Sequence, residues 1–557
     1  MSTRRDIEWL DYRRKDGSIA FNREHATEHF LVVGASGSGK TTIINNLMAS
    51  VVRKGANTKA LVYDPKQEVA PLLYELHNAP EVTRFVGGAE SVKILNPFDQ
   101  RCFAWDMAVD IDNVVSARQV ATILVPEKAG AGGSESFFTN ATRDILTALM
   151  VSFIETMPKE EAWTFRDLIL AALYEPYLMA ILKRSDKARS GKPIPMLGRV
   201  WDTYFGGAAD ARTRANIRAS LSANLAIFEP IAAAWHNATA ERRDTALGIE
   251  SGADRFFSLK EWALTEGEEI LVLGNDETSR AALDAINQAI FKRATELVLA
   301  RPERSDVQKA SGVNQVWFFL DEVREAGFLD GLSRLLTKGR SKGACIVMGF
   351  QDIDGLRDVY GEDVANEICA QCNNAAIMRI NSPSTALWAS DSFGRRLTGA
   401  DNRGVSLQTG GDSKGVNVSR GVSEEERPYL YTDAFLYLPT AREAKGVVGF
   451  SKGPGIDLTG LTNSQAQEKL RFRVEKETRT TRRPSLFREA FMPVPSANFL
   501  LEPWTEEDFS RLGLDGPPPP WFWQEKTPPA SSGSGKRPSL QRWLPESNTA
   551  LGVEREE

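Results

Sequence analysis

The chain has 557 residues, which is too long for a single hydrophobic core and predicts about two to four domains. Its 42 % hydrophobic and 25 % charged residues are typical of a soluble globular protein. A formal net charge of −6 argues against a surface coated for nucleic acid, although a local basic channel stays open because binding depends on the contacting residues.

The same composition bears on the compartment. Four cysteines do not make a disulfide framework, which predicts a reducing environment. The N-terminus lacks the apolar core of a signal peptide, and no window approaches the ~18 uninterrupted apolar residues of a membrane helix. We therefore expect a cytoplasmic chain, or one held peripherally at a membrane by partners.

The first element is the strand Phe30–Val33, followed by a glycine-rich loop that fits the phosphate-loop pattern G-x-x-x-x-G-K-[ST] and then by a helix over residues 41–53. Backbone amides of such a loop cradle phosphates, and the helix adds the positive end of its dipole. Lys40 is predicted to reach the β- and γ-phosphates, and the Thr41 hydroxyl to bind Mg²⁺. The predicted nucleotide-binding residues are Gly34, Ala35, Ser36, Gly37, Ser38, Gly39, Lys40, Thr41 and Thr42.

A second strand over residues 60–63 ends in Asp64-Pro65-Lys66, and strands separated by helices predict a mostly parallel sheet. From about residue 105 to residue 262 the apolar spacing is helical, with no convincing strand and with a flexible loop at residues 128–136. We interpret this region as an all-α domain inserted into the nucleotide-binding domain.

The sheet is expected to resume with strands at residues 269–273, 316–320, 344–348 and 375–380. Beyond about residue 464 the chain becomes charged and then proline-rich, and residues 506–557 are expected to be largely disordered or polyproline-like. Trp521, Trp523 and Trp543 in that tail suit either a docking motif for a partner or packing against the parent domain. The predicted division is 1–105 and 263–465 for the two parts of the nucleotide-binding domain, 106–262 for the all-α domain and 466–557 for the C-terminal extension.

Three further segments complete a predicted catalytic site. The strand before Asp321 and Glu322 is apolar, so Asp321 is expected near Mg²⁺ and Glu322 is expected to polarise the attacking water. Gln351 follows the next strand and is expected to sense the γ-phosphate or orient water, the alternative being a capping or loop-packing glutamine. Arg340, in a basic loop, is predicted to stabilise phosphoryl-transfer charge in a neighbouring subunit; a solvated loop arginine or a DNA-phosphate contact stays open.

In this combination and order, the motifs resemble the coupling ATPases of type IV secretion and conjugative DNA transfer, RecA-like motors of the HerA/FtsK group. The resemblance covers about residues 20–455. Its segments are the phosphate loop with His29-Phe30 before it, Tyr63-Asp64-Pro65-Lys66, residues 137–145, Leu320-Asp321-Glu322, residues 338–343, Gly349-Phe350-Gln351, residues 381–386 and Phe393-Gly394.

This resemblance implies an α/β RecA-like P-loop NTPase with an inserted all-α domain, using ATP and Mg²⁺ at the interfaces of a homo-hexamer. It also implies as partners DNA, a relaxase or relaxosome or effector proteins, and the ATPases and inner-membrane components of a type IV secretion channel. Members typically begin with transmembrane helices, whereas this chain begins with a short polar stretch. We therefore expect either a soluble variant recruited by partners in a bacterial cytoplasm or an anchor supplied by another chain.

Alternatives from the residues themselves stay open. One is a HerA/FtsK-like DNA motor for DNA processing or defence. Another is a scaffold that binds ATP to assemble with protein cargo, although Glu322, Arg340 and Gln351 exceed what nucleotide binding alone needs.

Overall fold

A computed structural model provides the architecture of the chain. It describes residues 23–52, 58–77, 91–127, 132–157, 162–184, 192–206, 210–239, 243–244, 249–250, 255–277, 279–311, 314–408, 415–454, 456–475, 491–495, 499–514 and 516. The predicted tryptophan motif at Trp521, Trp523 and Trp543 lies outside these residues.

The strands, in chain order, are β1 Phe30–Val33, β2 Lys59–Asp64, β3 Val92–Ile94, β4 Ala104–Trp105, β5 Arg243–Asp244, β6 Ile249–Glu250, β7 Phe256–Phe257, β8 Ile270–Gly274, β9 Val316–Leu320, β10 Ala344–Phe350, β11 Asn374–Ile377, β12 Arg395–Gln408, β13 Gly415–Pro428, β14 Gly446–Lys452 and β15 Arg471–Glu475.

The α-helices are α1 Lys40–Val51, α2 Ala70–His77, α3 Met107–Asp110, α4 Val114–Leu124, α5 Gly133–Thr156, α6 Phe165–Leu173, α7 Glu175–Leu182, α8 Pro195–Tyr204, α9 Ala211–Leu225, α10 Glu229–Thr239, α11 Leu259–Leu264, α12 Arg280–Leu299, α13 Asp306–Ser311, α14 Leu332–Lys338, α15 Ile353–Tyr360, α16 Glu362–Ala370, α17 Pro383–Ser392, α18 Thr432–Leu436, α19 Asn463–Leu470 and α20 Glu506–Arg511. None of these described helices combines the length and the apolar character that crossing a bilayer requires.

A large sheet forms the centre of the fold, with the strand order β15-β14-β11-β1-β10-β9-β2-β8-β3 among the described residues. The strands from β11 to β3 in that order are parallel, and β14 and β15 add an antiparallel edge. This confirms the predicted mostly parallel α/β sheet. β15 belongs to the sheet although its residues lie in the segment that the sequence analysis assigned to the C-terminal extension.

Both faces of the sheet are buried, as the near-continuous apolar strands require. Because side chains alternate along a strand, Trp317 and Phe319 of β9 contribute to the core under α1, while Phe318 contributes to the core on the opposite face. That second core is continuous with the interior of the helical region, so one apolar cluster joins the sheet to the helices from α4 to α10.

Helix α5 is the centre of the helical region and packs against α4, α6, α7, α8 and α9. Its apolar residues Ile145, Leu149 and Phe153 are fully buried, which agrees with their helical spacing in the sequence. The helix begins at Gly133, earlier than the sequence analysis placed it, so residues 133–136 are helical rather than loop. Glu135 in the first turn suits the positive end of the helix dipole. Residues 128–131 of the predicted loop lie outside the described residues.

The helical region connects to the sheet through a short parallel pair of strands, β4 and β7. Beneath this pair, the fully buried Asp110 accepts hydrogen bonds from the Trp105 indole at 2.5 Å, the Ser258 hydroxyl at 2.6 Å and the Leu259 amide at 3.0 Å. The first and last segments of the helical region are thus tied together at one carboxylate. The two-residue strands β4 to β7 and the hairpin β12–β13 were not predicted, because their residues lack a sustained apolar alternation.

The C-terminal strap, which we define as residues 491–495 and 499–514, differs most from the sequence expectation. Residues 506–511 were expected to be disordered or polyproline-like, but they form the helix α20, whose Phe509 is buried. The expectation was wrong because proline and charged residues dominate the composition of this segment. Its few apolar side chains are ordered by packing against the surface of the folded domain. Thr505 and Asp508 form a capping box at the start of α20: the Thr505 side chain accepts from the Asp508 amide, and the Asp508 side chain accepts from the Thr505 amide.

The strap contacts both parts of the fold. Near the sheet, the Gln100 amide donates to the Met492 carbonyl at 2.8 Å, and the rings of Phe98 and Phe499 lie 5.0 Å apart. On the helical region, Trp504 stacks on Tyr177 with ring centroids 4.3 Å apart.

An ionic cluster fixes the helical end of the strap. Arg511 contacts both oxygens of the fully buried Asp167, at 2.9 and 3.0 Å, and Arg166 contacts Asp508 at 3.0 Å. Although burial raises it, the pKa of Asp508 is lowered to about 2 by the Thr505 amide and by the two guanidinium groups.

We predict that Arg511→Met detaches the strap locally, because it leaves the buried Asp167 without its cation; removing one partner of a buried pair costs about 3–5 kcal/mol, less here because Arg511 is a quarter exposed. Hydrogen exchange of the full chain is expected to accelerate in residues 499–514 and in α6. Arg118→Met, which breaks an exposed pair with Asp144, is the control and should leave both segments unchanged. Equal protection in the two variants would contradict this account.

His29 lies immediately before β1 and is 2 % exposed, with a left-handed backbone at φ 58°. Its Nε2 donates to the Leu336 carbonyl at 2.9 Å, and its Nδ1 accepts from the Ile346 amide at 3.3 Å, so both ring nitrogens are used by the neutral form. Burial lowers the pKa of His29 to about 4.

The pH dependence of the stability of the fold is therefore expected to include a contribution from His29. The pKa of His29 in the folded state lies below its value in the unfolded chain. The contribution of the neutral ring to the free energy of unfolding is therefore fully present above about pH 6.5. It falls by about 3 kcal/mol in total as the pH drops towards 4. His29→Asn, which tolerates the left-handed backbone, should flatten this dependence in denaturant unfolding between pH 7 and 4.5. Asp64, whose pKa burial raises to about 6, acts in the opposite sense but equally in both proteins. Parallel stability curves for the two would refute the assignment.

Candidate functional site

The glycine-rich loop leaves the end of β1 in the middle of the sheet. Its first residues are fixed by the flanking strands, because the Gly34 amide donates to the Phe350 carbonyl at 3.3 Å and the Ala35 amide to the Arg379 carbonyl at 2.8 Å. Gly39 has φ 104°, and a Cβ there would overlap the Val447 side chain. The loop conformation therefore requires glycine at this position and depends on β14 as well as on β1.

Lys40 is buried at the start of α1 and faces back into the loop. Its Nζ donates to the Gly34 carbonyl at 2.9 Å and lies 3.1 Å from Glu322 Oε1. The same Glu322 oxygen accepts from Gln351 Nε2 at 3.1 Å and lies 3.8 Å from Lys66 Nζ. One carboxylate oxygen thus collects contacts from the loop and from the ends of two further strands.

Glu322 itself is held in an unusual position. It is 5 % exposed, and its backbone is left-handed, with φ 57°, directly after β9 and Asp321. Non-glycine residues adopt this conformation rarely, and such strain persists only where the surroundings enforce it. Here the Val323 amide donates to the Gly349 carbonyl of β10 at 2.9 Å, which fixes the chain just after the strained residue.

Thr41 and Asp321 form the second pair of the site, since the Thr41 hydroxyl donates to Asp321 Oδ2 at 2.9 Å. The other oxygen, Oδ1, is enclosed without a hydrogen-bond donor, and burial raises the pKa of this carboxyl. The hydroxyl of Ser38 in the loop is likewise enclosed without a partner. A carboxylate oxygen beside a threonine hydroxyl suits a hydrated Mg²⁺, and a free loop hydroxyl suits a phosphate oxygen.

Asp64, the last residue of β2, and Lys66, just after it, were given no role by the sequence beyond the family resemblance. Asp64 accepts from the amides of Glu68 and Val69 at 3.1 and 2.8 Å, which fixes the turn that presents Lys66 to the site. Burial, with Asp321 nearby, raises the pKa of Asp64 to about 6. The signal that could have pointed to Lys66 is its position just beyond a strand adjacent to β9, since the ends of neighbouring parallel strands share one edge.

Arg340 lies elsewhere. It begins the short 3₁₀ turn that precedes β10, is 59 % exposed and contacts Glu28 at 3.1 Å. β10 spans seven residues and separates this turn from Gln351, a length of about 20 Å at 3.3 Å per residue. Lys40, Thr41, Asp321, Glu322 and Gln351 therefore converge in one site, whereas Arg340 is at the opposite edge of the sheet. Thr42 is half-buried on the first turn of α1.

The fold resembles solved coupling-protein structures. The plasmid coupling protein TrwB in complex with ADP and Mg²⁺ superimposes with a TM-score of 0.56 at 18 % identity, over 85 % of this chain and 90 % of that chain. TrwB with the non-hydrolysable ATP analogue ADPNP gives a TM-score of 0.57 at 17 % identity, over 89 % and 94 % of the two chains. These likenesses confirm the RecA-like P-loop NTPase fold that the resemblance implied.

Sequence relatives point the same way. Coupling protein TraD of Escherichia coli (strain K12) is 23 % identical over 384 residues, which cover 68 % of this chain and 46 % of TraD. A probable conjugal transfer protein TraG of Sinorhizobium fredii is 22 % identical over 415 residues, covering 72 % and 57 %. The chain thus spans about half the length of these relatives.

A family model matches most of the chain. It describes the type IV secretion-system coupling protein DNA-binding domain and matches residues 13–459. That range includes the sheet strands from β1 to β14, the helical region and every residue of the site described above. The chain therefore belongs to the family of type IV secretion-system coupling protein DNA-binding domains.

Proposed function

We propose that the chain is an ATP-hydrolysing, DNA-binding coupling protein that links a DNA–relaxase or effector-protein substrate to a type IV secretion channel. The observation that carries the hydrolytic part of this proposal is the convergence of Lys40 and Gln351 on one carboxylate oxygen of Glu322, beside the Thr41–Asp321 pair. Nucleotide binding alone needs the loop, whereas a buried carboxylate with an adjacent glutamine suits hydrolysis.

Each residue has a task in this mechanism. Lys40 exchanges the Gly34 carbonyl and Glu322 for the β- and γ-phosphates of ATP, and the loop amides bind the remaining phosphate oxygens. Thr41 and Asp321 hold Mg²⁺, which neutralises charge on the phosphates when bound. Release of Lys40 removes one of the contacts on Glu322 Oε1, so that this oxygen can accept a proton from the attacking water, which Gln351 orients.

The proposed assembly and setting are those that the family resemblance implies. A homo-hexamer with nucleotide at its interfaces gives Arg340 a role in a neighbouring site, which its distance from the site of its own chain favours. Channel ATPases and inner-membrane components are the partners expected at the cytoplasmic face of a bacterial inner membrane. The helical region is the part we expect to meet DNA or the relaxosome.

ATP hydrolysis by the full chain is expected to rise with single- or double-stranded DNA. Lys40→Ala and Glu322→Gln should each lower the rate at least about 100-fold, because they remove a phosphate ligand and a general base. Steady-state phosphate release with and without DNA measures both effects.

Glu325→Gln, a matched change three residues further along the chain in a partly exposed pair with Arg280, should retain the wild-type rate. If the wild type and all variants hydrolyse ATP slowly and do not respond to DNA, the protein is not a DNA-dependent motor, and the ATP-binding scaffold is favoured. DNA-stimulated turnover without any effect of secretion partners would favour a DNA-processing motor.

Arg340→Ala is expected to lose hydrolysis while retaining nucleotide binding, because its guanidinium acts on a neighbouring subunit. Mixing Arg340→Ala with Lys40→Ala should restore activity, to about a quarter of wild type if subunits pair at random. Lys40→Ala mixed with Glu322→Gln is the control, since both changes disable the same chain's site. No recovery in the first mixture would show that Arg340 is a surface or DNA-contacting residue.

A further inference from the structure

A cleft of about 630 Å³ lies at the edge of the sheet opposite the phosphate loop. It is bounded by the segment after α12, by α13 and by the basic turn before β10, which are joined where the Arg304 amide donates to the Ser341 carbonyl at 3.0 Å. Its volume is in the range of small-molecule sites, about 300–1,000 Å³. No residue of the chain's own hydrolytic site comes from this edge, although Arg340, which lines the cleft, is proposed above to act on a neighbouring subunit.

Positive charge dominates the cleft. Five cations and one carboxylate line it, and these are Arg304, Lys309, Lys338, Arg340, Lys342 and Glu303. Glu303 does little to neutralise them, since it is 70 % exposed and 3.9 Å from Lys342. Arg340 and Lys309 have partners of their own, Glu28 and Asp306, each at 3.1 Å. The remaining charge of the cleft is therefore mainly that of Arg304, Lys338 and Lys342.

Arg304 is the residue that distinguishes this cleft from an ordinary basic surface. It is only 6 % exposed, and its Nε and Nη1 are enclosed without a hydrogen-bond acceptor. Among the residues that the structure describes, none forms an ion pair with it, and burial lowers the pKa of its guanidinium. Gly343, at φ 87°, lets the turn close over it, because a Cβ there would lie 3.0 Å from Arg304 Nε.

A buried guanidinium with two nitrogens that lack an acceptor destabilises a fold unless something binds them. We propose that this cleft binds a phosphate group, with Arg304 at its floor and Lys338 and Lys342 at its rim. Pyrophosphate or the terminal phosphates of a nucleotide fit its size and charge, either free in solution or held in the phosphate loop of a second copy of this chain. A DNA backbone fits less well, because it contacts protruding cations and Arg304 is recessed.

The test uses the full-length Lys40→Ala variant, whose phosphate loop is disabled, so that failure here is distinct from failure of the proposed hydrolysis. Inorganic pyrophosphate is expected to raise its melting temperature, since a ligand that binds only the folded state stabilises it. Adding Arg304→Met should weaken pyrophosphate binding at least about 10-fold, as expected for a lost charge-assisted hydrogen bond. Without pyrophosphate, Arg304→Met should melt at the same temperature or higher, which a merely structural arginine would not do.

Arg301→Met is the matched control, because Arg301 is also enclosed but does not line the cleft. If Arg304→Met does not fold, the exposed Lys338→Met replaces it and should also reduce the affinity. An equal pyrophosphate shift with and without Arg304 overturns the proposal. So does a shift that only a DNA oligomer produces and that depends on Arg304, which would make the surface a DNA contact.

A second measurement distinguishes the two sources of the phosphate. Full-length Lys40→Ala and Arg304→Met are mixed, and ATP hydrolysis is measured; this arm rests on the proposed function, whereas the melting experiment does not. Recovery of activity in the mixture assigns the phosphate to a nucleotide held by a second copy. An Arg304-dependent pyrophosphate shift without recovery assigns a free phosphate compound.

Discussion

The structure depends on the pairing of β1 between β10 and β11. Phe30 lies opposite Val347 on one side and Asn374 on the other. The strand before the glycine-rich loop is therefore held by two strands that come much later in the chain. Parallel pairing places the ends of β1, β9 and β10 at one edge, where the loop, Asp321 and Gln351 follow. A one-residue slip of β1 would turn its buried side chains to the wrong faces and displace the loop as well.

Electrostatics at this edge is organised around Glu322. Its carboxylate faces two lysines: Lys40, which is buried with it and little screened by water, and Lys66 from the turn after β2, which is partly exposed. Asp64 at the end of β2 and Asp321 just after β9 are two further carboxyl groups at this edge, and burial raises the pKa of both. Cations and carboxylates of this site thus compensate one another before any anion arrives, and an incoming phosphate competes with Glu322 for Lys40.

Short-range signals predicted the parts of the fold that local chemistry decides. The glycine-rich loop, the apolar strand before Asp321 and the helical spacing of α5 are each contained in a few consecutive residues. The contact of Lys66 with Glu322 and the enclosure of Arg304 were not predictable in this way, because both depend on which strands become neighbours. The strap was not predicted for a related reason: Trp504 and Phe509 pack against Tyr177 of α7, and their own segment carries little signal.

The left-handed backbone at Glu322 has a consequence for how this chain tolerates change. A glycine there would relax the backbone, and an asparagine would do so in part, since both adopt positive φ more readily than glutamate. The backbone alone therefore favours glycine at this position, whereas the buried Lys40, 3.1 Å from the carboxylate, favours glutamate. Losing the carboxylate would relieve the backbone strain but leave a buried lysine without its counter-ion, so the ion pair retains glutamate against the local backbone preference.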